Sequence, residues 1–246
     1  PSHPNLLDHL AFSFRHDYRW SSKKLLKTIV LSATYCQTSK QSESTSQNSL
    51  FDRGPRFRLT AEQVRDQALA ISGLLSNKMH GPPVFPPRPT EVRSTFGEDK
   101  WKPSPGEDRY RRALYTFTWR TSPYPSSMTF DAPSREFCVP RRIRTNTPLQ
   151  ALVLLNDPVL LESAQALAVR MVKNSENNLA AQLAHGFRLV LTRQPTVDEL
   201  TSLEKMFRDA GHRLTAKQTP THVPRVNAMT VVAHVLLNLD ETVTKN

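Results

Sequence analysis

Between Phe130 and Glu162 the sequence reads FDAPSREFCVPRRIRTNTPLQALVLLNDPVLLE, and its first half gathers the side chains best suited to chemistry. Asp131 and Glu136 are a candidate carboxylate pair. Two carboxyl groups flanking a glycosidic bond can divide acid and base or nucleophile roles, and their separation, which sequence leaves open, decides the outcome. Arg135, Arg141, Arg142 and Arg144, with the amides of Asn146 and Gln150, suit another task. Planar guanidinium forks match sulfate and carboxylate oxygens bidentately. A third reading is structural: the same groups satisfy one another in a buried ion-pair and amide network that locks the segment to its core. Polar groups this dense, set directly before an apolar run, are either paired internally or presented to a ligand.

Other catalytic patterns are missing. The sequence holds no HExxH, CxxC pair, phosphate-binding glycine loop, GxSxG elbow or CxxCH, so neither a metal site nor a cofactor is expected in this chain. Its 8 histidines are scattered and read as surface or core residues. Cys36 and Cys138 are too few for a disulfide framework; one bridge and two reduced, buried thiols fit equally well.

The net charge of +11 is unevenly placed: residues 1–80 hold 11 basic and 6 acidic side chains, residues 81–146 hold 12 and 7, and the remainder 10 and 9. This surplus favours an anionic partner (polysaccharide, nucleic acid or acidic protein), with an ordinary basic surface as the plain alternative. No apolar run of the roughly 18 residues needed to span a membrane occurs. Pro1-Ser2-His3-Pro4 lacks signal-peptide features, and the sequence reads as a fragment of a longer protein.

Helices must position these groups. With 7 glycines against 19 prolines, the 246 residues suggest helices punctuated by proline, not tight β-turns. Apolar spacing predicts a helix over 4–14 and a second one capped by Ser22, followed by a polar loop over 37–50. Arg53, Arg56 and Arg58 read as scaffolding before the capping box Thr60-Ala-Glu-Gln63, which opens a third helix. Residues 81–106 are proline-rich and extended, and 112–120 alternates as a strand does. Pro148 and Pro158 start two further helices, with Asp157 capping the second. In that second helix Leu160, Leu161, Ala164, Leu167, Ala168 and Met171 form the expected core stripe. Helices follow over 178–192, from Thr196 to near Gly211, and over 227–239, with a loop across 214–224. The fold class expected is mainly α: one helical domain over 1–246 with a short β element. Residues 81–146 form a long, proline-rich, irregular or β insertion packed on the helices.

Several of these runs carry a resemblance. Tyr110-Arg-Arg-Ala-Leu-Tyr-Thr-Phe117, Phe130-Asp-Ala-Pro-Ser-Arg-Glu136, Arg141 through Pro158 and Val235-Leu-Leu-Asn-Leu-Asp-Glu241 resemble the planctomycete-type domain of unknown function, number fifteen fifty-three. His3-Pro4-Asn-Leu-Leu-Asp8 and Arg193-Gln-Pro-Thr-Val-Asp-Glu-Leu200 fit the same pattern, while Ala113 stands where that family is expected to carry serine. The resemblance implies the C-terminal domain of a large exported protein, in the periplasm or at the cell surface, where a Cys36–Cys138 bridge is permissible. It implies upstream domains as partners, and haem c only in a cytochrome-like module upstream. It supplies no catalytic residues, and export argues against nucleic acid. The expected role is structural or ligand-binding, with an acidic polysaccharide as ligand. The alternative is part of a haem-linked enzyme acting on glycans.

Overall fold

Caps and prolines set the helix boundaries in the computed structural model, which describes residues 2–39, 51, 53–89, 101–119, 122–174, 178–216 and 224–245. Helix α1 spans Pro4–Arg15, and Ser21, accepting from the Lys24 N–H at 3.4 Å, opens α2 (Ser22–Val30) one residue before the expected cap. Thr60 and Gln63 form a reciprocal capping box that opens α3 (Ala61–Ser72). Gly73, at φ 81°, closes it in a left-handed turn that glycine adopts without steric cost. Prolines begin α4 (Pro125–Thr129), α5 (Pro148–Asn156) and α6 (Pro158–Asn174), where a missing N–H costs no helical bond. Asn178 caps α7 (Leu179–Leu191), and a second box on Thr196 and Glu199 opens α8 (Val197–Ala216). Helices α9 (Pro224–Asn238) and α10 (Asp240–Val243) complete the set. Strands β1 (Phe57–Arg58) and β2 (Thr244–Lys245) pair in a two-stranded sheet.

Contacts cluster into two compact units, Pro1–Phe57 with Lys245–Asn246, and Arg58–Thr244. In the first, α1 and α2 pair; Phe14 and Trp20 meet edge to face at 5.2 Å, and Thr28 donates to the Tyr18 hydroxyl at 2.9 Å.

The second unit is built around α6. Ala164, Leu167, Ala168 and Met171 on that helix are fully buried against Val64 and Ala68 of α3, Leu183 and Phe187 of α7, and Met229, Val232 and Leu236 of α9. Gly186 lets α7 approach α6 closely, because a Cβ there would collide with the Met171 side chain. Gly186→Ala should therefore destabilise by about 1–3 kcal/mol, although alanine is intrinsically the better helix former. A thermal midpoint that rises on this substitution would contradict the packing. Arg193 fixes the α7–α8 corner by donating to Glu199 and Glu241, each at 2.7 Å.

The mainly α architecture with a short β element is as expected, but the strand expected over 112–120 does not form among the described residues 112–119. Short 3-10 turns occupy Gly106–Tyr110 and Ala113–Tyr115, with isolated bridges at Ser76–Arg111 and Val84–Thr116. The Ala113 N–H goes to Asp66 Oδ1 at 2.7 Å, and those of Tyr115 and Thr116 turn back to the carbonyls of Arg112 and Ala113. Buried Arg111 stacks over Tyr115 at 3.7 Å and donates to the carbonyls of Lys78, His80 and Pro82. The aromatics that alternated in sequence gather instead, Phe117 stacking on Phe85 at 4.9 Å and Trp119 meeting Trp101 edge to face at 6.2 Å. Helix α8 runs past Gly211, where a stop was expected; the cost of about 1 kcal/mol for glycine inside a helix does not end it. Phe96 and most of the two polar loops expected over 37–50 and 214–224 lie outside the described residues. No single helix among the described residues is long and apolar enough to cross a membrane.

Candidate functional site

The loop from Asp131 to Asn146 is shaped by two left-handed residues and tied shut at its neck. Asp131 (φ 57°) and Arg135 (φ 64°) turn the chain out of α4. The Asp131 carboxylate accepts from the Thr145 N–H at 2.7 Å and from the Thr145 hydroxyl at 2.9 Å. One turn into α5, Gln150 is buried, donating to the Thr129 carbonyl at 3.1 Å and the Thr145 carbonyl at 3.2 Å. Its amide oxygen accepts from Arg58 Nε at 2.8 Å, and Arg58 reaches on to Asp240 Oδ1 at 3.1 Å. Asp131, Thr145, Gln150, Arg58 and Asp240 thus form one continuous polar chain. Two of its members, Asp131 and Gln150, were legible as candidates. Thr145 and Asp240 carried no signal, and Arg58 read only as scaffolding before a helix.

The other face of the loop looks outward. Arg142 donates to Glu62 Oε2 on α3 at 2.7 Å. Burial alone would raise the Glu62 carboxyl, but the hydrogen bond from Arg142 and its charge outweigh it and hold the group below its usual range. Arg141 and Arg144 flank that anchor and are exposed. With Thr60, Arg142 and Ile143 they line an open groove of about 620 Å³. The pocket behind the loop, between Arg58, Asp131 and Gln150, is only about 10 Å³, room for one water at most. Only the outward side of the loop therefore has room for more than a water.

The remaining candidates sit apart. Arg135 lines a different groove, with Tyr115 and Phe117. Glu136 and Asn146 are exposed, the Glu136 N–H bonding to the Ser134 hydroxyl at 3.4 Å. Asp131 spends both oxygens on Thr145. Cys36 and Cys138 are free and exposed, not buried. Among the described residues no three His, Cys, Asp or Glu side chains gather as a metal site would require.

A second polar cluster lies inside the fold. Asp157 caps α6 through the Val159 N–H at 2.8 Å and accepts from the Ser126 and Tyr124 hydroxyls. Burial pushes the Asp157 carboxyl up, and it raises the Tyr124 phenol as well, with the Asp157 charge adding to the effect. The adjoining cavity, which Arg65 also lines, is about 30 Å³. That holds a water or two and no substrate, so this cluster is read as a structural cap.

A family model, PSD1, described as "Protein of unknown function (DUF1553)", matches residues 1–207. No curated protein and no solved structure matches the chain.

Proposed function

The chain belongs to this family of proteins of unknown function, and we propose that it is a binding module whose loop 131–146 takes an acidic polysaccharide. The observation that carries the reading is the division of the loop's side chains. Asp131 and Gln150 face the core and hold the loop, while Arg141 and Arg144 stand exposed on either side of an arginine fixed by Glu62. Guanidinium groups held in a fixed frame lose less side-chain entropy on meeting sulfate or carboxylate oxygens. Arg135, beside Tyr115 and Phe117, offers the same polymer a second contact. Placement in the periplasm or at the cell surface is part of the proposal and rests on the resemblance alone.

Retention on a sulfated-polysaccharide column across a salt gradient tests it. Arg141→Ala and Arg144→Ala should each elute earlier, and the double variant earlier still. Their folding stability should change by less than about 0.5 kcal/mol, as for exposed surface sites. Arg142→Ala should lose both some retention and about 0.2–1 kcal/mol, the usual worth of a half-exposed ion pair. Unchanged retention in the double variant would end the proposal.

A further inference from the structure

The outer face of α5 is apolar and uncovered. Leu149, Leu152 and Leu155 follow one another at i, i+3 and i+6 and are 64%, 54% and 47% exposed, whereas Gln150 and Leu154 on the inner face are buried. A single exposed leucine is ordinary, but several on one helix face mark an interaction surface. The arginine run leads directly into this helix, and Gln150, bonded to Thr145, ties the first turn of α5 to it. There Ile143 is 76% exposed. Arg141 and Arg144 are exposed on the same run, while Arg142 is bound to Glu62. A partner that covers this face must therefore bring apolar side chains and carboxylates together.

We propose that the outer face of α5, extended by Ile143, Arg141 and Arg144, docks an acidic, amphipathic helical segment of a partner protein. Such a segment would lay apolar residues spaced by three and four along the leucines and set its carboxylates against the arginines. A second copy of this chain fits worse, since a two-fold pairing of the face would bring two sets of arginines together. A bilayer also fits worse: an interfacial helix keeps a charged face to water, and the opposite face of α5 is sealed into the fold. This surface shares Arg141 and Arg144 with the polysaccharide reading, but its uncharged leucines do not rest on it.

The probe is a displayed library of random linear 16-residue peptides, selected on the intact chain. The selected peptides should combine Asp or Glu with apolar residues at helical spacing. Their affinity should fall tenfold or more on Leu152→Asp and on Arg141→Glu/Arg144→Glu. Leu152→Asp, at an exposed position, should keep its denaturation midpoint and its retention on sulfated polysaccharide. The proposal is overturned by a selection without binders, by binders without carboxylates, or by binders indifferent to Leu152→Asp. It is equally overturned by self-association, or by binding to phosphatidylglycerol vesicles, that Leu152→Asp abolishes.

Discussion

Leu167→Ala should cost about 2–5 kcal/mol of folding stability, the range for a leucine removed from a closed core, while Leu161→Ala, six residues earlier on the same helix, should cost under about 1 kcal/mol. Leu167 is 0% exposed and lies where α6 meets the neighbouring helices; Leu161 is 39% exposed. Apolar spacing had placed both in the core. At the start of α6 two leucines are adjacent, and only one can face inward on a helix with 3.6 residues per turn. Leu160 takes that place, at 7% exposure. Urea denaturation of the two variants checks the assignment; equal losses would mean that α6 buries a different face.

Gln150→Ala should be nearly as damaging, at about 3 kcal/mol. Truncation leaves Arg58 Nε and the carbonyls of Thr129 and Thr145 without their partner, and an unsatisfied buried group costs about 1–3 kcal/mol. Asp131→Asn preserves the shape of the neck and one acceptor oxygen for Thr145, so its cost should stay near 1 kcal/mol. The same denaturation series distinguishes them. A Gln150→Ala variant as stable as the parent would show that the loop is held by something other than this polar chain.

The two variants also mark where sequence reasoning works and where it stops. Both capping boxes, on Thr60 and Thr196, and the proline starts of α5 and α6 were readable, since each depends on residues within one turn of the other. The Asp157 cap was readable for the same reason. The chain from Asp131 to Asp240 was not, because Arg58 meets Gln150 across 92 positions and Asp240 across 182, and no local pattern encodes either meeting. The stretch 112–120 failed differently. Its alternating aromatics are real, but they pack against Phe85 and Trp101, and buried Arg111 draws the backbone into turns. Tertiary contacts overrode a period-two pattern. Within the loop, the dense arginine run stood out in the sequence, yet only the fold shows that Arg142 is bound to Glu62.

The central claim is that the loop is held from within by Asp131 and Gln150 and meets a polyanion from without through Arg141 and Arg144. The most direct measurement is the affinity for a sulfated oligosaccharide of fixed length, titrated at several salt concentrations with the parent chain and with Arg141→Ala/Arg144→Ala. Each cation that neutralises a polyanion charge contributes roughly 0.7–0.9 to the slope of log affinity against log salt, by analogy with nucleic acids. The double variant should thus show a slope shallower by about 1.5, with an unchanged denaturation midpoint. Equal slopes for the two proteins would contradict the account.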